Sequence, residues 1–149
     1  MGEPAEGCLF CRMAAAGPDE DRANFVLERG REWFAVINRY PYTTGHLMVV
    51  SRRHVESVSD FGADEGLEVV KLLARCESAI RRAYGPDGIN LGANLGRSAG
   101  AGIIGHFHMH MVPRWHGDTN FMSAVGETRV VSEDLRDTYE RLLRALREA

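Results

Sequence analysis

Residues 106–110 read His-Phe-His-Met-His, so half of the chain's six histidines fall within five positions. In a β-strand successive side chains point to opposite faces. His106, His108 and His110 then share one face, while Phe107, Met109 and Met111 take the other. An apolar row suited to a core thus backs a polar row that can meet a reactant. A neutral imidazole is a good nucleophile toward phosphorus, and an ordinary histidine pKa of ~6.5 leaves it mostly neutral at about pH 7.5. It needs a second group to orient it and fix its tautomer. Metal chemistry is the alternative. Residues i and i+2 of a strand lie ~6.6–6.8 Å apart, so a His-x-His pair can chelate one ion, but His106 to His110 spans ~13 Å. With Zn–N bonds of ~2.0–2.1 Å, all three do not readily share one zinc. A metallohydrolase would also need a further ligand, and no nearby carboxylate has a clear claim.

Cys8-x-x-Cys11 is the second pair with chemical potential. Three cysteines do not make a disulfide framework, and in a reducing compartment this spacing favours a metal or redox role. Two buried thiols are the simpler alternative. Cys76 lies on the apolar face of a helix and reads as core.

Several elements must position these groups. Phe25 to Glu28 and Trp33 to Ile37 read as strands around the Arg29-Gly30-Arg31 turn. Gly17 to Arg22 precedes them as a polar, turn-rich segment after a short N-terminal element. Pro41 to Gly45 is a loop, and His46 to Val50 resumes as a strand in which His46 shares a face with Met48 and Val50. A long helix runs from about Asp64 to Ala83, with Val69, Leu72, Leu73, Cys76 and Ile80 at helical spacing. Gly85-Pro86-Asp87-Gly88 stops it. Ile89 to Ala93 is a strand entering the glycine-rich loop Asn94 to Gly105. A second helix covers Glu133 to Arg147, capped by Ser132, with Leu135, Tyr139, Leu142, Leu143 and Leu146 as its buried stripe. Short strands joined by turns, with helices grouped between and after them, predict an α+β fold with a mostly antiparallel sheet.

A chain of 149 residues fits one compact domain, residues 1–149, and its 44% hydrophobic and 26% charged residues are ordinary for a globular protein. A net charge of −3 argues against an overall electrostatic grip on nucleic acid. No stretch approaches the roughly 20 apolar residues of a membrane-spanning helix, and residues 1–7 do not read as a signal peptide. These features and the cysteine usage point to a cytoplasmic protein without membrane partners.

The run His106-Phe-His108-Met-His110-Met-Val resembles the signature of the histidine triad (HIT) superfamily of nucleotidyl hydrolases and transferases. The resemblance extends over Cys8-Leu-Phe-Cys11, Asn38-Arg-Tyr-Pro-Tyr-Thr-Thr-Gly-His46, Arg52-Arg-His54 and Asn94-Leu-Gly, in the family's order. Pro113-Arg114-Trp115 and residues 117–121, Gly-Asp-Thr-Asn-Phe, resemble the branch acting on dinucleoside polyphosphates, in particular bacterial diadenosine tetraphosphate hydrolases and phosphorylases. The resemblance implies a HIT-like fold: a mostly antiparallel five-stranded sheet with one long and one C-terminal helix, commonly assembled as a two-fold homodimer.

Residue by residue, the resemblance makes His108 the nucleophile, places His110 on phosphate oxygens or the leaving group, and gives His46 a supporting role. Cys8, Cys11, His54 and His106 match a structural zinc site found in many members. Such a Cys₂His₂ set leaves no open position on the metal. Asn38 matches the family position that hydrogen-bonds ribose hydroxyls, with Phe34 and Val36 as walls for the base. Asn94 and residues Gly102 and Ile103 fall where substrate is bound. Glycines in this loop let backbone N–H groups approach phosphate closely, and Arg97 and Ser98 can add contacts. The chain departs from the family at two places: Gly102 replaces a common glutamine, and Ile103 replaces a common serine or threonine. The Asn94-to-His106 segment is also one residue longer than in many relatives. Loss of the glutamine removes a polar group near the reaction centre, which argues against simple hydrolysis and makes inorganic phosphate, rather than water, a plausible second nucleophile.

The implied reaction is cleavage of diadenosine tetra- or triphosphate at an α-phosphate through a nucleotidyl-His108 intermediate. Two alternatives are an adenosine 5′-phosphoramidase and a non-catalytic nucleotide-binding sensor. A complete triad argues against the sensor, because a binder has no chemical need for His108. Whether Mg²⁺ accompanies the substrate is left open by the sequence, since an ion held mainly by substrate phosphates leaves little trace.

Overall fold

A computed structural model of the chain describes residues 7–119 and 133–149. Five strands form one open antiparallel sheet: β1 Val26–Arg29, β2 Trp33–Ile37, β3 Leu47–Ser51, β4 Gly88–Gly92 and β5 His108–Arg114. They lie in the order β1-β2-β3-β5-β4, so the histidine-bearing β5 is interior and β4 is an edge. Among the described residues four α-helices accompany it: α1 Leu9–Ala15, α2 Asp21–Asn24, α3 Ala63–Tyr84 and α4 Leu135–Arg147. The expected α+β fold, with its five-stranded sheet, one long helix and one C-terminal helix, is borne out.

Alternation along the strands sorts side chains between two packed layers. Leu47, Val49, Phe107 and Met111 join Trp33, Ala35 and Ile37 beneath α3 and α4. Phe34, Val36, Met48 and Val50 face the opposite way and pack with Phe10 and Met13 of α1. α3 buries Leu72, Cys76, Ala79 and Ile80, spaced as one helical face. It ends at Gly85, which takes a left-handed conformation with φ 54° and donates its N–H to the Arg81 carbonyl.

Element boundaries differ from the sequence expectation in places. β1 begins at Val26 because Phe25 closes α2 in the left-handed region, with φ 58°. β3 begins at Leu47, leaving His46 just outside it, and β4 is displaced one residue toward Gly88. α4 is capped by Asp134, whose carboxylate accepts the Arg136 N–H at 2.8 Å. The expected cap, Ser132, lies outside the described residues, as do positions 120–131. Leu135 and Leu143 are only partly buried, and Thr138 and Ala145 take a share of the buried stripe.

Candidate active site and metal centre

Strand register carries the histidines into line. Val50 of β3 pairs with His108 and Met48 with His110, while across β2 Phe34 pairs with Val50 and Val36 with Met48. Directly opposed residues of an antiparallel pair share a face. Two rows therefore cross the sheet, Phe34-Val50-His108 and Val36-Met48-His110, and both run into imidazoles. On the other side of β5 the partner of His110 is Gly92, which carries no side chain. The expected alternation holds: Phe107 and Met111 belong to the opposite core, with Met109 packed against it.

Each imidazole is oriented by a specific partner. His108 is buried, and its Nδ1–H donates to the His106 carbonyl at 2.9 Å. That leaves Nε2 as the nitrogen directed to incoming groups. His46 is fully buried, and its Nδ1 accepts the Tyr42 backbone N–H at 3.1 Å. The proton of His46 therefore sits on Nε2, which donates to Nδ1 of His110 at 3.0 Å. His110, accepting at Nδ1, carries its own proton on Nε2. One backbone amide thus sets the tautomers of two imidazoles in series. Tyr42 also stacks on His110, with centroids 5.9 Å apart and planes inclined 24°. Burial lowers the pKa of both His108 and His110, and for His110 the neighbouring His108 adds to the effect. Both rings are held neutral, which leaves His108 a lone pair for attack and lets His110 offer its Nε2–H as a hydrogen bond.

The loop before His46 is pinned from behind. Gly45 has φ 81°, and a Cβ there would meet the Tyr84 ring at 2.8 Å. Tyr84 itself donates to Glu133 at 2.6 Å, so α3 and the start of α4 jointly brace this turn. Only glycine satisfies both the backbone angle and the close approach.

These groups open onto a cavity of about 350 Å³. His108 and His110 line it together with Asn38, Gly102 and Ile103. Asn38 sits with its amide nitrogen 3.4 Å from His46 Nε2, and its Oδ1 accepts the Tyr40 N–H at 2.9 Å. Asn94 is not among the lining residues. Its amide donates to the Gly100 carbonyl at 3.3 Å, which braces the glycine-rich loop instead. Val36 is part of the wall, whereas Phe34 is wholly buried beneath it. Arg97 and Ser98 stand exposed on a 3₁₀ turn outside the lining. Leu9, Phe10 and Met13 supply a wall that sequence reasoning missed, as do Tyr40 and Tyr42. The spacing Leu9, Phe10, Met13 is the signal for a helix face, but α1 has seven residues, too few for periodicity to stand out. A larger cavity of about 540 Å³ lies on the opposite sheet face, among Trp33, Phe61, Phe107 and Met109, and no histidine lines it.

At the other end of the histidine run, one ligand atom each from Cys8, Cys11, His54 and His106 lies within 4.8 Å of the others. Cys8 caps α1 and Cys11 sits in its first turn, which brings both sulfurs to the same side. Cys11 Sγ is 3.3 Å from His54 Nδ1, and Cys8 Sγ is 3.4 Å from His106 Nδ1. The edge of a zinc tetrahedron built from Zn–S of ~2.3 Å and Zn–N of ~2.05 Å is about 3.5 Å, so the donors are spaced as a metal would require. His106 Nε2–H donates to the Ser51 carbonyl at 2.7 Å, leaving Nδ1 with its lone pair toward the sulfurs. A ligand histidine held by a carbonyl on its other nitrogen is the usual outer-shell arrangement. The cluster is a set of residues that can hold a metal ion.

The chain belongs to the HIT domain family, whose model matches residues 19–117. The matched span contains the three clustered histidines and His46 but not Cys8 and Cys11. It is 42% identical over 118 residues to a protein of Mycobacterium tuberculosis named AP-4-A phosphorylase. That alignment covers 79% of this chain and 60% of the relative, so the chain spans about three fifths of the relative's length. An uncharacterised HIT-like protein of Saccharolobus solfataricus is 29% identical over 141 residues, covering 95% of this chain and 96% of the relative. A zinc-bound histidine triad family protein from Mycobacterium smegmatis has the same fold, with a TM-score of 0.75 at 23% identity over 95% of this chain and 94% of the other. A hypothetical histidine triad nucleotide-binding protein from Sulfolobus tokodaii superposes with a TM-score of 0.70 at 28% identity, covering 95% of this chain and 90% of the other.

Among the described residues no helix is long and apolar enough to cross a membrane.

Proposed function

We propose that this chain is a nucleotidyl transferase or hydrolase that cleaves dinucleoside polyphosphates at an α-phosphate, with His108 as nucleophile. The observation that carries the reading is the pairing of a pinned, buried His108 with a proton-bearing His110 at the end of the Tyr42–His46 relay. Nε2 of His108 forms a bond to the α-phosphorus as the bond to the bridging oxygen breaks. His110 Nε2–H donates a hydrogen bond to that departing oxygen, which leaves ionised as the terminal oxygen of the nucleoside polyphosphate. In the second half an ionised oxygen of inorganic phosphate, or of water that gives its proton to solvent, attacks the phosphorus as the bond to His108 Nε2 breaks and the neutral imidazole is restored. His46 is a positioning residue that fixes the tautomer of His110. Asn38, a lining residue of the cavity, is assigned to the ribose, and Gly102 and Ile103 are assigned to the phosphates.

Phosphate is the favoured acceptor. A Cβ at Gly102 would meet nothing within 4 Å, so space is left beside the reacting centre where a glutamine would otherwise sit. The similarity to the mycobacterial AP-4-A phosphorylase supports the same choice. The cysteine–histidine cluster is read as a structural zinc centre: thiolate and imidazole donors suit zinc, and four protein ligands leave no coordination position for a substrate. Zinc there would tie α1, and with it one cavity wall, to the histidine run. One domain, a homodimeric assembly and a cytoplasmic location complete the proposal.

The decisive test incubates purified protein with diadenosine tetraphosphate, with and without inorganic phosphate, and separates the nucleotides. ADP plus ATP formed only with phosphate present is the expected result. AMP plus ATP without phosphate would make water the acceptor, and no turnover under either condition would overturn the reading.

A further inference from the structure

The cavity at His108 and His110 is too small for the whole of a dinucleoside polyphosphate. Its volume of about 350 Å³ is near the low end of ligand pockets, roughly 300–1,000 Å³, and its inner wall is apolar. One nucleoside fits beside Phe10, Val36 and Met48. With the α-phosphorus at His108 and the departing oxygen at His110, the rest of the substrate must pass outward over His110.

Tyr40 stands there. It belongs to the lining of the same cavity yet is 85% exposed. Its backbone N–H is held by Asn38 Oδ1 at 2.9 Å, and Pro41 follows with its fixed φ. The preceding Arg39 is anchored on the Ala23 carbonyl at 3.1 Å. The ring is therefore carried into water on a loop tied down at both neighbouring positions, inward of which Tyr42 stacks on His110. An aromatic side chain presented in this way offers a π-face to any base. Resting on the reading of the substrate given above, we infer that Tyr40 is a stacking platform for the base of the leaving nucleotide. It would give the site its preference for a dinucleotide over a mononucleotidyl ester.

The test measures binding of diadenosine tetraphosphate and of AMP to the His108→Ala protein, which does not turn over, with and without Tyr40→Ala. Dinucleotide affinity should fall about tenfold on removal of the ring, at the low end for a base–aromatic stack, and AMP affinity by less than twofold. Tyr40→Trp should restore the dinucleotide. Equal losses for both ligands, or none for either, would overturn the inference. Absence of turnover by the parent protein would refute the proposed function instead, and the ratio of affinities would still decide the role of Tyr40.

Discussion

His106 and His110 are separated by three residues and have opposite surroundings. His106 is turned into a closed cluster, with its Nδ1 among two sulfurs and its Nε2 committed to the Ser51 carbonyl. His110 faces a cavity and takes its proton position from His46 and Tyr42. Both are imidazoles on one face of one segment, so residue type does not separate them. What separates them is the partner on the second nitrogen. A carbonyl on one nitrogen and thiols at the other suit a ligand; an imidazole on one nitrogen and a cavity at the other suit a hydrogen-bond donor to a reactant. Phe10 joins the two ends, since its ring lies 5.4 Å from His106 and 5.1 Å from His108. Seating of α1 at the cluster therefore reaches the reactive end by direct packing.

Four perturbations can break or sharpen this contrast. The largest effect is expected from His108→Ala, which should lower turnover of diadenosine tetraphosphate by a thousandfold or more, on the order seen when a nucleophile is removed. Metal content, measured by elemental analysis, should stay at about one zinc per chain. Loss of zinc in this variant would join the two ends into one site.

Cys11→Ser acts at the other end. It should abolish stoichiometric zinc and lower the melting temperature by about 10 °C, corresponding to ~3 kcal/mol. Chelation of the parent protein should reproduce the shift. A stable, active protein without metal would remove the structural centre from the account.

His46→Leu keeps the bulk of a fully buried side chain but interrupts the relay. We expect a fall in kcat of about a hundredfold, in the range for a misplaced hydrogen-bond donor to a departing oxygen, with KM and zinc content little changed. A change confined to KM would mean that His46 shapes the pocket rather than the proton position.

The smallest effect concerns the segment carrying His54. Arg53 donates twice to Glu65, at 2.7 and 2.9 Å, and Glu65 also accepts the Gly62 N–H at the start of α3. The Arg53 hydrogen bond, opposed by burial and aided by the Gly62 bond, holds the Glu65 carboxyl below its ordinary pKa. Its stabilisation is therefore present above the usual glutamate range and is lost as pH falls through the lowered value. Glu65→Gln should cost about 1 kcal/mol near neutral pH. Thermal melts of the two proteins should converge in acid, and a constant difference down to the lowest pH would refute the ion pair's role.

Much of this architecture was legible because it is written at short range. Trp33 to Ile37 is an unbroken apolar run between turns, and its strand boundaries match the expectation residue for residue. The long helix was legible from Leu72, Cys76 and Ile80, and its end from Gly85. Phe25 was assigned to a strand because nothing in its side chain announces a left-handed backbone. Asn94 was placed at the substrate from its position in the motif, and the structure shows its amide donating to the carbonyl of Gly100, which itself lines the cavity.

The sequence by itself determined the alternation that puts three imidazoles on one face, the spacing of the cysteine pair and the membership of a family. The tertiary structure alone decided which nitrogen of each histidine is engaged, that Leu9, Phe10 and Met13 wall the cavity, and that Tyr40 stands at its mouth. The physical reason is range. Strand and helix periodicity arise between residues a few positions apart, whereas Cys8 meets His106 and His46 meets His110 across separations of 98 and 64 residues. Contacts of that kind depend on strand order and register, which no local pattern encodes.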